Sequence, residues 1–188
     1  GIQNRQLREN KKTRYMINAS LKYQLFDWLD VVGRVKIDNY DNRSTYKAYA
    51  STGTLVSGDR GTYSDTSTQS KNTYADAIAT LNKSFNDWSV NVNLGVSLSD
   101  SRYEMIGYEG GLKLINFFAV HNIDFNKAWK AKQSGWHDQT RAIFANAEIG
   151  WKSMIYLTAT GRNDWDSRLA FSDYKSFFYP SIGLSAIL

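Results

Sequence analysis

The chain has no cysteine, one proline (Pro180) and only two histidines, His121 and His137, among its 188 residues. Without cysteine there is no disulfide framework and no thiolate metal site. The histidines stand sixteen positions apart with no third ligand at a spacing zinc favours, so no metal is expected. No stretch reaches the ~18 consecutive apolar residues of a membrane-spanning helix, which excludes a helical membrane protein. The scarcity of proline, together with only thirteen glycines, argues against a low-complexity or disordered chain. The opening Gly1-Ile2-Gln3-Asn4-Arg5 has neither a signal-peptide apolar region nor an initiating Met, and the expectation is an interior piece of a longer protein.

Aromatic residues make up 14% of the chain, with twelve Tyr and six Trp, a usage common where amphipathic rings sit at a membrane boundary. A spanning β-strand needs roughly 9 to 11 residues, and only every second one must be apolar. The mean hydropathy of −0.49 therefore fits a polar-lined barrel as well as a soluble domain. The net charge of +5 is a mild excess of 23 basic over 18 acidic residues. Its one cluster, Arg5, Arg8, Lys11, Lys12 and Arg14, reads as a solvated segment, and residues 1–13 read as loop. Nucleic-acid binding would need a basic stripe interleaved with stacking aromatics, and most rings here sit at strand ends.

The informative pattern is a hairpin centred on Phe85-Asn86-Asp87-Trp88. After that turn Trp88, Val90, Val92, Leu94, Val96 and Leu98 alternate with Ser89, Asn91, Asn93, Gly95 and Ser97, a strand with one apolar and one polar face. Related turns occur at Phe26-Asp27-Trp28 and at Trp151-Lys152-Ser153-Met154, about sixty positions away on either side. The spacing predicts seven strands: Arg14 to Leu25, Leu29 to Tyr40, Tyr74 to Phe85, Trp88 to Leu98, Thr140 to Trp151, Met154 to Arg162, and a last one through Ser181 to Leu188. In the third, Lys83 shares the apolar parity of Ala75, Ala77, Ala79 and Leu81, which is acceptable two positions from a turn, where it can snorkel. Leu112 to Phe118 fits either a short strand or a helix.

Short connections alternate with long ones, at about 41–72, 99–137 and 163–176. Outer-membrane barrels segregate short periplasmic turns from long extracellular loops in this way. Phe26, Trp28, Phe85, Trp88, Trp151 and Tyr156 all fall at short-turn ends and are assigned to an interfacial aromatic girdle. Arg34, Lys36, Asn91, Asn93 and Glu148 would line a wet interior. The fold class expected is all-β, an antiparallel transmembrane barrel, and seven strands would be only part of one.

Residues suggestive of chemistry are few. Ser134 lies near His137 and Asp138, but adjacency in sequence is not the geometry of a catalytic triad. Gly107-Tyr108-Glu109-Gly110-Gly111 lacks the strand and spacing of a nucleotide loop and reads as a loop turn. Tyr103, Tyr108, Phe117, Phe118, Trp129 and Trp136, placed in long loops, suit either sugar stacking or loop packing and receive no role. No catalytic residue and no cofactor are assigned.

The tail Ile155-Tyr156-Leu157-Thr158-Ala159-Thr160-Gly161-Arg162-Asn163-Asp164-Trp165, followed by Ser176-Phe177-Phe178-Tyr179-Pro180-Ser181, resembles the barrel of the SusC-like (SusC/RagA) family of TonB-dependent outer-membrane transporters. In that family a Tyr-Leu-x-x-Thr-x-Arg-Asn-Asp-Trp strand leads through a loop to a Phe-Tyr-Pro-Ser strand. Asn18-Ala19-Ser20-Leu21-Lys22-Tyr23 and Leu81-Asn82-Lys83-Ser84-Phe85 look like earlier strands of the same barrel, while Asp166-Ser167-Arg168 departs from the usual paired serines. The resemblance implies a plugged barrel of about 22 strands, of which residues 1–188 form one part, with the plug and any N-terminal extension outside the chain. It implies residence in a Gram-negative outer membrane as a multi-pass barrel, and import of oligosaccharides or peptides rather than enzymatic activity. It also implies partnership with a SusD-like surface lipoprotein and TonB through parts not in this chain. Arg162, Asn163, Asp164 and Trp165 are candidate rim or substrate contacts. The alternatives are a small self-contained outer-membrane barrel, such as an adhesin or passive pore, and a soluble carbohydrate-binding β-sandwich.

Overall fold

A computed structural model describes residues 5–50, 52, 58–169 and 176–187. Strict two-residue alternation of apolar and polar side chains favours extended backbone, and the chain forms seven strands: β1 (Gln6–Phe26), β2 (Leu29–Ala48), β3 (Thr62–Phe85), β4 (Trp88–Gly111), β5 (Trp129–Trp151), β6 (Ile155–Asp166) and β7 (Ser176–Ala186). They lie in one sheet in sequence order, with β1 and β7 at its edges. Two short 3₁₀ turns, Val120–Asn122 and Ser167–Leu169, interrupt the connections.

The number and order of strands match the periodicity, but their lengths do not. Residues 6–13, expected as loop, belong to β1; β2 runs on to Ala48, β3 starts at Thr62, β4 reaches Gly111 and β5 starts at Trp129. The connections thought to be long shrink to 49–61 and 112–128. Segments such as Thr62 to Thr73 are β-prone but polar on both parities, so they pair into a sheet without any hydrophobic period to mark them. Gly107 to Gly111, expected as a loop turn, lies in β4, and Tyr103, Tyr108, Trp129, Trp136 and His137 are likewise on strands. Leu112 to Phe118 is neither strand nor helix: after one bridge between Leu112 and Ile123 the chain turns through Asn116, whose φ is 56°.

The short connections are tight turns. Asn86 adopts φ 53°, and Lys152 and Ser153 adopt 50° and 56° in a turn closed by the Met154 N–H donating to the Trp151 carbonyl at 3.0 Å. Positive φ at the centre of a hairpin matches the right-handed twist of the strands it joins.

Chain contacts divide the molecule into two units, one of residues 16–38, 72–101 and 138–188 and one of residues 1–15, 39–71 and 102–137. In the first, the register of β5, β6 and β7 puts Ile149, Leu157 and Leu184 in one row and Ala147, Ala159 and Ile182 in the next. Leu21, Ile182 and Leu184 are 74–80% exposed. Among the described residues no protein layer lies against this apolar face, unlike a sandwich whose apolar faces meet each other, and such a face suits a lipid-facing wall. The opposite face is polar, with Phe144 lying over Gly95: a Cβ at Gly95 would sit 2.0 Å from the Phe144 ring. In the second unit Tyr63, Leu112 and Ile123 form a small core packed by Tyr108, Phe118 and Val120.

Gly95→Val should lower barrel stability by about 1–3 kcal/mol through overpacking, and Phe144→Ala in the same protein should recover most of that loss. Urea unfolding in lipid vesicles measures both. Ser153→Gly should instead stabilise by about 1 kcal/mol, because a left-handed backbone is costly for a residue with a Cβ.

Candidate functional site

With one face of the sheet apolar and exposed, polar side chains gather on the other parity of each strand, and a site would be built there. In the unit of residues 16–38, 72–101 and 138–188, Arg34 grips Asp76 with two hydrogen bonds, Nε to Oδ1 at 2.9 Å and Nη2 to Oδ2 at 2.8 Å. The Tyr74 hydroxyl donates to the same carboxylate at 2.9 Å. Asp76 is only 7% exposed, so a bidentate partner and a third donor are what make a charge acceptable there. Next along the face Thr80 Oγ1 donates to Asn93 Oδ1 at 2.9 Å, Asn93 Nδ2 to Asn91 Oδ1 at 3.0 Å, and Asn91 to Asn82. The chain of amides and the guanidinium–carboxylate fork tie β2, β3 and β4 together side chain to side chain.

The assigned aromatics divide into distinct settings. Phe26 and Trp28 stack with centroids 5.2 Å apart, and Lys83 holds its ammonium 5.9 Å from the Trp28 ring. The lysine in the apolar row therefore lies at a turn, against an aromatic face. Phe85 and Trp88 flank the Asn86-Asp87 turn and are about half exposed, and Trp151 ends β5 on the row of Ile149. Tyr156 pairs with Gly150 and packs on it, on the polar parity.

Arg162, Asn163, Asp164 and Trp165 all lie on β6 and split between the two faces. Arg162 Nε donates to Asp164 Oδ1 at 2.7 Å, and the guanidinium also sits 6.0 Å over the Phe144 ring. Asn163 and Trp165 fall on the opposite, apolar row, where Trp165 pairs with Arg141. Just beyond, Arg168 holds Asp166 (Nη2 to Oδ2, 2.7 Å) and approaches Asp138 at 3.9 Å. A groove of about 880 Å³ runs over Ala75, Ala77, Val96, Leu98, Ile143 and Trp165. Asp76, Gln139, Arg141 and Asp166 also line it, so its wall is mixed in character.

In the other unit the connections 49–61 and 112–128 are knitted to each other. The Leu112 N–H donates to the Gly61 carbonyl and the Asn116 N–H to the Arg60 carbonyl, each at 3.0 Å, while the Ala50 N–H donates to Asn116 Oδ1 at 2.9 Å. Asn122, only 3% exposed, clamps the turn from inside: it accepts from the Leu114 N–H at 3.0 Å and donates to the carbonyls of Leu114 and Phe117 at 2.9 and 2.7 Å. No sequence signal singled out Asn122, because an asparagine inside a polar loop looks like any other. Phe118, left without a role from the sequence, packs edge-on to Tyr49 at 4.9 Å and against Tyr63, which makes it a loop-packing residue.

Beside this core Arg43 Nη2 donates to Asp65 Oδ2 at 2.6 Å and Nε to Oδ1 at 3.0 Å, with the Tyr63 hydroxyl 3.4 Å from the same carboxylate. The Arg43 hydrogen bonds hold the Asp65 carboxyl below the usual range against the opposing effect of burial, and burial pushes the Tyr63 phenol up. Because the folded pKa of Asp65 is depressed, its contribution is complete above the unfolded value of 3.8 and disappears as pH falls through the lower folded value.

Protection of the 60–66 backbone from hydrogen exchange, corrected for intrinsic rate, should therefore persist at pH 5 and fall only below about pH 3.8; Asp65→Asn should show the low protection already at neutral pH. Asn122→Ala, which removes the side-chain partner of the Leu114 N–H and of the Leu114 and Phe117 carbonyls, should cost about 1–3 kcal/mol and expose the 112–128 turn to limited proteolysis.

No protein-family model and no curated protein matches the sequence. Solved structures do. The chain superposes on the RagAB peptide transporter with a TM-score of 0.86 at 14% identity, covering 96% of this chain and 20% of that one. The RagAB peptide importer in its "open-open" state gives 0.85 at 13% identity over the same shares. The siderophore receptor PiuA from Acinetobacter baumannii gives 0.53 at 12% identity, with 93% of this chain and 29% of that one covered. The chain spans about a fifth of the length of the RagAB chains. Its fold is that of a run of antiparallel strands from an outer-membrane transporter barrel.

Proposed function

We propose that this chain is part of the wall of a SusC-like, TonB-dependent outer-membrane transporter that imports large nutrients, peptides or oligosaccharides. The observation that carries the reading is the superposition of 96% of this seven-stranded chain on the RagAB peptide transporter. An apolar face exposed without a protein partner, opposite a hydrogen-bonded polar face, supports it independently. Peptide is the favoured cargo, because the peptide transporter structures fit far better than the siderophore receptor, 0.86 against 0.53. The energy of transport would come from TonB acting on a plug, and a SusD-like surface lipoprotein would cover the barrel, both through parts of the protein outside this chain. Phe85, Trp88 and Trp151 would lie at the periplasmic boundary as girdle residues. Arg162 and Asp164 would present a charged pair to the lumen, and Asn163 and Trp165 would meet the opposite boundary.

Sidedness is directly testable, because this stretch has no cysteine of its own. In intact cells a membrane-impermeant maleimide should label Lys113→Cys and leave Ser153→Cys unlabelled until the outer membrane is permeabilised. The reverse pattern would refute the orientation. Cells lacking the transporter should lose growth on oligopeptides as sole nitrogen source and keep growth on free amino acids.

A further inference from the structure

The basic cluster near the start of the chain is sorted by the strand it belongs to. On β1, Arg8 and Lys12 share the sequence parity of Asn18, Ser20 and Lys22, the polar row, whereas Lys11 falls on the other parity and is neutralised by Glu9 at 3.3 Å. Arg14 shares this parity too, and of the three cations it is Arg8 and Lys12 that meet tyrosine rings. The Arg8 guanidinium lies 5.7 Å over Tyr46, and the Lys12 ammonium 4.6 Å over Tyr40. Neither has an ion-pair partner among the described residues. A ring attracts a cation through its quadrupole but leaves its charge in place, so this face keeps its positive field where an ion pair would cancel it.

The surrounding charge reinforces that field. The unit of residues 1–15, 39–71 and 102–137 holds fourteen Lys and Arg against seven Asp and Glu. Several of those acids are already committed to cations: Asp65 to Arg43, Asp59 to Arg60 and Lys127, Glu104 to Arg102. The rest of the chain holds nine basic and eleven acidic residues. The positive excess of the whole molecule is thus concentrated in the unit that carries the two inter-strand loops. A membrane headgroup would be met from the apolar parity, and there Lys11 is paired off. A cargo inside the barrel would be met from the polar parity, where Arg8 and Lys12 stand.

We infer that Arg8 and Lys12, held on the Tyr46 and Tyr40 rings, receive the carboxylates of acidic peptides and give the transporter a preference for them. The inference rests on the peptide-import reading above. Each side chain can donate to a carboxylate from one side while its ring supports it from the other, and the ring edges remain available to an apolar residue of the cargo.

The test uses the complete transporter in the outer membrane and fluorescent oligopeptides of equal length, one rich in Glu, one in Gln and one in Lys. The unaltered protein should take up the Glu-rich peptide fastest at low ionic strength, with the preference fading in high salt. The R8Q/K12Q double variant should lose uptake of the Glu-rich peptide on the order of tenfold and keep that of the Gln-rich peptide; an R8K/K12R variant should retain the preference. An equal fall for all three peptides, or no fall for the Glu-rich one, would overturn the inference while leaving peptide import intact. An acidic oligosaccharide imported with the same dependence on Arg8 and Lys12, in place of the acidic peptide, would overturn the cargo assignment. No uptake of any peptide by the unaltered protein would defeat the import reading itself.

Discussion

Lipid offers no hydrogen-bond partner to a peptide group, and most of this structure follows from that constraint. A strand crossing a bilayer must give every N–H and C=O to a neighbouring strand, and here each of β2 to β6 has a neighbour on both sides. The short turns keep consecutive strands adjacent, so the sheet order is the sequence order. Only β1 and β7 lack a second neighbour in this sheet, and in a membrane both edges would need further strands. Backbone pairing thus sets the topology, and the side chains decide which face meets which medium.

The medium explains what was legible in the sequence. Along Trp88 to Leu98 or Ile143 to Trp151 one parity meets hydrocarbon and must be apolar, so the alternation is strict and the strands can be read by eye. Thr62 to Thr73 and Trp129 to Asp138 are strand as well, yet nothing requires one parity to be apolar. The ends of β1 to β5 remote from the short turns therefore carry no hydrophobic period and look like loop in the sequence. The same reason hid the sorting of Arg8, Lys11 and Lys12, which has meaning only once residues 6–13 are known to be extended.

The candidate site was legible in residue type more than in arrangement. Arg34, Asn91 and Asn93 were expected on the wet face from parity alone, and their partners Asp76, Asn82 and Thr80 came only with the register between strands. Arg162 to Trp165 look like one cluster in the sequence, but consecutive residues on a strand point to opposite faces. The group is really two pairs, Arg162 with Asp164 and Asn163 with Trp165.

The polar face is also more than a wet lining. Asp76 and Arg34, the Asn ladder, and Phe144 closing over Gly95 under the Arg162 guanidinium all join side chains across strands. In a wall with an exposed apolar face, side-chain packing energy cannot come from a hydrophobic core; lipid tails solvate the outward residues as well as another protein layer would. Cross-strand polar contacts and an aromatic laid over glycine then supply the register specificity that core packing gives a soluble sheet. Polar residues that bind strands to one another in this way have few donors left for a cargo. Arg8 and Lys12, which rest on tyrosine rings and not on carboxylates, keep the charge that an ion pair would cancel.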